Sequence, residues 1–346
     1  MILLYAININ TPMLWAALLI CGVIFVNGWT DAPNAITASV STGALKLRQA
    51  VILAAIFNFL GALLMGIINT SVIESVGSIA IMIGKNENSL IVLCASLISI
   101  IVWAIIAWFF GIPTSESHAL ISGILGAVLA CGGKVTSEGL YALKLSLYGL
   151  FLSLPIGGAL GWLLGKVSEN LSFNLRSENK ATIFKSGQTI GAAAMSFMHG
   201  AQDSQKFAGV FVAAIYMSGI EQKGSILDEV PLWLIVFCSV IIALGTSVGG
   251  YRIIQKVGID TVSLTPESGF AADVAAASCM LAASLGGIPI STTHTATSAV
   301  IGAGLSGYPG KLNFKSVKEM LLAWILTFPC CGGISYISVK IFLMFF

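Results

Sequence analysis

The sequence predicts an all-α polytopic membrane protein made of two inverted-topology repeats with broken or re-entrant helices. Three observations support this: a composition nearly free of charge, a succession of apolar runs, and polar motifs that recur half a chain apart. Only 9% of the 346 residues are charged and 57% are hydrophobic, with a mean hydropathy of +0.95. A soluble domain carries about 25% charged residues to face water. Apolar stretches at 13–27, 51–70, 89–111, 143–165, 231–250 and 320–343 approach or exceed the roughly 20 residues that cross a hydrocarbon core. Helices satisfy their own backbone hydrogen bonds there, and the 37 glycines suit close helix approach in lipid. A net charge of +2 leaves no electrostatic footprint for nucleic acid. The seven cysteines have no metal-ligand spacing and read as small packing residues. No basic segment or small-residue cleavage site accompanies the run from Met13, which reads as a retained first helix rather than a signal peptide.

The repeat is visible in two motifs. Gly111-Ile112-Pro113-Thr114-Ser115-Glu116-Ser117-His118 recurs as Gly287-Ile288-Pro289-Ile290-Ser291-Thr292-Thr293-His294, sharing G-I-P-x-S-x-x-H. Gly28-Trp29-Thr30-Asp31 is matched by Gly200-Ala201-Gln202-Asp203, sharing G-x-x-D. The order is the same in each half, as an internal duplication requires. The expected organisation is a first membrane repeat over 1–165, a linker over 166–187 and a second, inverted repeat over 188–346.

Lys and Arg set the orientation. With five crossings per half and the N-terminus outside, the cytoplasmic loops hold Lys46, Arg48, Lys166, Arg176, Lys180, Lys185, Arg252, Lys256, Lys311, Lys315 and Lys318. The outer loops hold Lys85, Lys134, Lys144 and Lys223, so the bias is eleven to four. The first loop of the first half is basic (Lys46, Arg48), and its counterpart (Glu221, Lys223, Asp228, Glu229) is acidic. Equivalent loops then lie on opposite sides, with the central linker cytoplasmic. Inverted repeats of this kind characterise secondary transporters, whose substrates bind near the midplane. Pro113 and Pro289 leave the crossing count open, because either can mark a re-entrant hairpin.

In Gly28–Asn34, a glycine and Pro33 flank Asp31 and should interrupt the helix. Asp31 either caps the helix from Ala32 or, as a costly carboxylate at membrane depth, binds a cation. In His199–Lys206, Asp203 and Lys206 share a helical face at i and i+3. Asp203 reads as a cation ligand, and Lys206 either as its structural ion-pair partner or as a functional group. The two Pro-Ser/Thr-His motifs place Thr114 and Ser115, and Ser291, Thr292 and Thr293, at helix starts. Free N–H groups, hydroxyl donors and the positive dipole end make an anion site there, against plain capping. His118 and His294 can orient their helices or touch substrate. Glu116, where the other copy has Thr292, can be a further cation ligand or a proton acceptor. All three histidines, 118, 199 and 294, fall inside these motifs.

At these residues the sequence resembles the PiT family of inorganic phosphate transporters, which carries G-A-N-D-x-x-N, H-G-A-N-D-x-Q-K and two P-x-S-T-T-H elements. Pro289–His294 matches the last in full and Pro113–His118 in part. Gly249-Gly250-Tyr251-Arg252 and Gly269-Phe270-Ala271-Ala272 resemble the family's second half as well. The resemblance implies cation-coupled phosphate uptake in a cell (inner) membrane, with Na+ or H+ as coupling ion and no other cofactor. It implies that Asp31, Asn34, Asp203 and Gln205 shape the cation (Na+) sites. Thr114, Ser115, Ser291, Thr292 and Thr293 would hold the anion, joined by Thr30 and Gln202, which replace the family's motif asparagines. His118, His199, Lys206, His294 and Glu116 would support them. Some relatives of this type carry sulfate. Phosphate keeps a proton at neutral pH that a carboxylate can accept and sulfate has none, so Asp31, Asp203 and Glu116 favour phosphate. The other partners expected are membrane lipid and, left open, a homo-oligomeric copy.

Competing readings are a passive anion channel, with the hydroxyl motifs as filter, and an intramembrane hydrolase or metalloenzyme. The second is not expected, because HExxH and Cys/His metal spacing are missing from the sequence.

Overall fold

The apolar runs become helices because, away from water, only an intrahelical ladder satisfies their backbone groups. The computed structural model describes residues 11–173, 175, 177–219, 230–307 and 312–345. Arg176, Glu221, Lys223, Asp228, Glu229 and Lys311 of the charge argument lie outside the described residues.

The first half runs α1 (Thr11–Thr30), a 3-10 turn (Ala32–Ile36), α2 (Thr37–Ser41), α3 (Leu47–Ile68), α4 (Ser71–Ile81), α5 (Ser89–Phe109), α6 (Glu116–Cys131) and α7 (Ser137–Phe173). The second runs α8 (Ser177–Met217), α9 (Leu232–Val248), α10 (Tyr251–Ile254) with a π turn (Gln255–Ile259), α11 (Pro266–Leu285), α12 (Thr292–Gly307) and α13 (Phe314–Phe345). Each half ends in a long helix with an internal proline, Pro155 in α7 and Pro329 in α13. The polar stretch 166–187 is mostly helical, shared between the end of α7 and the start of α8.

The expected interruption occurs at the first motif, where Pro33 lacks a backbone N–H and constrains Ala32, so α1 stops at Thr30. The second motif carries no break, as its i and i+3 pairing of Asp203 and Lys206 requires. Residues 200–206 contain no proline, and α8 continues through them for 41 residues.

Among the described residues, six helices are long and apolar enough to span a bilayer, or seven if α9 and α10, bent by 69°, form one broken span. That falls short of five crossings per half. The motif helices α6 and α12 have 16 residues each, a rise of about 24 Å against roughly 30 Å of hydrocarbon. Each follows a full-length helix through a non-helical break, at 110–115 and 286–291. Gly111 (φ +66°) and Gly287 (φ +64°) turn the chain at these breaks in a region that penalises a Cβ.

The halves interlock by exchanging partners. Helix α12 packs against α7 and α6 against α13, while α3 packs against α8 and α9 against α1. A methyl group on Gly28 would strike the Ile242 carbonyl, and one on Gly200 the Asn58 carbonyl. In the same way Gly61 meets Phe197 and Gly245 meets Phe25. These are the same contacts with the halves swapped. The polarity is inverted relative to a soluble protein: Trp15, Phe109, Phe151, Leu244 and Ile325 are exposed, whereas Asp31, Glu116, Asp203 and Lys206 are at most 3% exposed.

Candidate ion-binding site

The two Pro-Ser/Thr-His motifs bring the N-termini of α6 and α12 together. Ser115 Oγ accepts the His118 N–H at 3.2 Å and Ser291 Oγ accepts the His294 N–H at 3.1 Å, so each serine caps its helix. The Ser291 hydroxyl also donates to Ser115 Oγ at 2.8 Å. Both serines are thus engaged by caps and by each other. Thr114 is half-buried and contributes its carbonyl, which accepts from Thr293 Oγ1 at 3.2 Å.

The aspartates of the two G-x-x-D motifs face these helix starts. Asp31 stands at the N-cap of the 3-10 turn but makes no side-chain cap. Its carboxylate instead accepts from Asn34 Nδ2 at 2.6 Å, from Thr293 Oγ1, and from Thr292 Oγ1 at 3.2 Å. The same Thr292 hydroxyl lies 3.2 Å from Asp203 Oδ2. Asp203 Oδ2 also accepts from Asn27 Nδ2 at 3.0 Å, and Oδ1 from Lys206 Nζ at 2.7 Å. His199 Nε2 is 3.4 Å from Asp203 Oδ2, while its Nδ1 is 2.9 Å from Asn58 Oδ1. Asp31, His199 and Asp203 offer ligand atoms within 4.8 Å of one another. With neighbouring hydroxyls and carboxamides the set is rich in oxygen, the donor type that hard cations take.

Around this centre the other expected residues divide. Thr30 Oγ1 donates to Glu116 Oε1 at 3.0 Å, and Glu116 Oε2 is buried with no hydrogen-bond partner. The carboxamide oxygens of Asn34 and Gln205 are likewise buried and unpaired. Unpaired buried acceptors are costly, and those of Asn27, Asn34 and Glu116, on residues bonded to Asp203, Asp31 and Thr30, are groups a cation would satisfy. Gln202 turns away, its Nε2 donating to Ser284 Oγ at 2.9 Å and to the Ile288 carbonyl at 3.3 Å. His118 and His294 pack against each other with centroids 4.4 Å apart and ring planes tilted by 42°. Phe328 and Trp324 pack beyond them, so these rings join the motif helices rather than face the aspartates.

Sequence reading missed Asn27, Ser117 and Asn58. Asn27 had a signal: it directly precedes the motif glycine, as His199 does in the other half. Asn58 is a lone carboxamide in an apolar run, itself a sign of function at membrane depth. Asp273 in α11 is a further buried acid, apart from this centre, with Oδ2 unpartnered.

The family model described as "PHO4: Phosphate transporter family" matches residues 27–335, which include both halves of the site. The chain belongs to this family. It is therefore a multi-pass membrane transporter and not an enzyme. Among relatives, a protein of Bacillus subtilis (strain 168) named "Probable low-affinity inorganic phosphate transporter" is 34% identical, over 95% of this chain and 97% of its own length. One of the same name from Rhizobium meliloti (strain 1021) is 36% identical over 90% of each chain. A solved structure titled "The sodium-dependent phosphate transporter" superposes with a TM-score of 0.81 at 20% identity, covering 97% of this chain and 100% of that one. It shares the fold.

Proposed function

We propose that this phosphate transporter family member imports inorganic phosphate in symport with Na+ or H+, by alternating access between inverted repeats 1–165 and 188–346. The segment 166–187 joins them in the cytoplasm, and α1 enters a cell (inner) membrane from outside. The swapped packing of the halves supports two related units, and the loop charges support their orientation.

The observation behind coupling is the Thr292 hydroxyl, 3.2 Å from both Asp31 Oδ2 and Asp203 Oδ2. One hydroxyl has one proton, so it cannot serve both carboxylates, still less an anion besides. A cation on Asp31 and Asp203, helped by Asn34 and Gln205, removes their claim on Thr292 and Thr293. The hydroxyls and the N-termini of α6 and α12 are then free to hold phosphate, and the repulsion between anion and carboxylates is gone. Cation and anion binding thereby favour each other, which is the thermodynamic content of symport. Glu116, next to Thr30, is the group best placed to meet a substrate proton. The family and the printed names of the relatives support phosphate over sulfate.

Radiolabelled phosphate uptake into proteoliposomes, with imposed Na+ or H+ gradients in turn and sulfate as competitor, tests this. Accumulation above equilibrium under one cation gradient, resistant to excess sulfate, is expected. Mere equilibration identifies a channel, and full competition by sulfate overturns the substrate assignment.

A further inference from the structure

The two G-x-x-D motifs differ in the residue three places on, and that difference changes the charge of the site. Asn34 Nδ2 donates to Asp31 Oδ1 at 2.6 Å, and at the matching place Lys206 Nζ donates to Asp203 Oδ1 at 2.7 Å. The neutral donor of the first half is replaced by an amine in the second.

Lys206 is 1% exposed. Besides Asp203 it meets Ser117 Oγ at 2.7 Å and the Ile290 carbonyl at 2.6 Å. Ser117 gives its own proton to the Ile290 carbonyl at 3.2 Å, so it accepts from Lys206. A carboxylate, a carbonyl and a committed hydroxyl are three acceptors. An ammonium has three N–H donors and matches them, whereas a neutral amine would leave one acceptor facing a lone pair. The contacts also join the elements: Asp203 lies on α8, Ser117 on α6, and Ile290 just before α12.

We propose that Lys206 is a resident cation that permanently neutralises Asp203, so that the transported cation binds on the Asp31 side and one fewer accompanies each anion than two free aspartates would require. This rests on the symport reading. Among the described residues, Asp31 accepts from the neutral donors Asn34, Thr292 and Thr293 and has no lysine or arginine against it, so it is the carboxylate whose charge must be met from solution. The Thr292 contact to Asp203 Oδ2 lets the second carboxylate help to coordinate that cation without needing one of its own.

The test uses the full chain in proteoliposomes and in detergent. Wild type is measured first for the cation-to-phosphate flux ratio and the Hill coefficient of cation activation, with NaCl against choline chloride and with pH steps. Lys206→Gln keeps two of the three N–H donors and removes the charge. One additional cation per phosphate and a higher Hill coefficient are expected, and an unchanged ratio overturns the inference. If that variant does not fold, Asp31→Asn decides the matter by the shift of the melting temperature with added cation. Complete loss of that shift is expected, and a residual shift from a cation held at Asp203 overturns the inference. A wild-type protein without cation dependence overturns the symport reading itself, so the two failures are separable.

Discussion

The Ser291 hydroxyl donates to the Ser115 hydroxyl at 2.8 Å while each serine caps its own motif helix. A single hydrogen bond thus ties equivalent positions of the two halves where their helix N-termini converge. Ser115→Ala or Ser291→Ala should each lower stability by about 1 kcal/mol through the lost cap. Because the residues share a bond, the double variant should lose less than the sum. Melting temperatures in detergent check this, and strict additivity would count against the shared bond.

Replacing the two aspartates should have unequal effects. Asp31→Asn removes a charge held by neutral donors, so the protein should fold near normally while cation-dependent uptake is lost. Asp203→Asn leaves the Lys206 ammonium buried without its counter-ion, which costs about 3–5 kcal/mol. Loss of uptake should come with a marked fall in melting temperature, and Asp203→Asn combined with Lys206→Gln should recover part of it. Equal melting temperatures for the two single variants would contradict the pairing.

Thr292 separates shape from hydrogen bonding. Thr292→Val keeps the β-branched outline and deletes the hydroxyl that touches both aspartates. A hydrogen bond to a charged group contributes about 1.5–3 kcal/mol, so phosphate uptake should fall roughly 10- to 100-fold. Thr292→Ser should retain most of it. Initial uptake rates at fixed cation concentration give the comparison.

Much of this architecture was legible because motifs recurring half a chain apart could be read physically. The G-x-x-D and G-I-P-x-S-x-x-H pairs named both halves of the site, and every aspartate and threonine of its centre lies in them, with Lys206 three residues beyond the second G-x-x-D. Partner choice across the halves was not legible. Asn27 reaches Asp203, and Lys206 reaches Ser117, only because the halves interlock. The broken helix was legible at Pro33, and so was the shared helical face of Asp203 and Lys206, since nothing in residues 200–206 opposes a helix. The crossing count was not legible for a related reason. Apolarity alone does not tell a full span from a half-span of 16 residues such as α6.

Interlocking makes a last prediction about glycine. Gly28 and Gly200 sit at matching positions, and a methyl group on either would run into the backbone of the facing helix, at Ile242 and at Asn58. Backbone cannot move aside as a side-chain tip can, so Gly28→Ala and Gly200→Ala should each destabilise by about 1–3 kcal/mol or more. They should also impair uptake, because Thr30 and Asp31 follow the first glycine and Gln202 and Asp203 the second. Gly333 in α13 is the control: nothing lies within 4 Å of an added methyl group there. Gly333→Ala should instead stabilise by about 0.5–1 kcal/mol, from the lower flexibility of alanine in the unfolded chain. Melting temperatures of the three variants, read beside phosphate uptake, test the interlock directly. A Gly200→Ala protein as stable and active as wild type would mean that α3 and α8 do not approach as described.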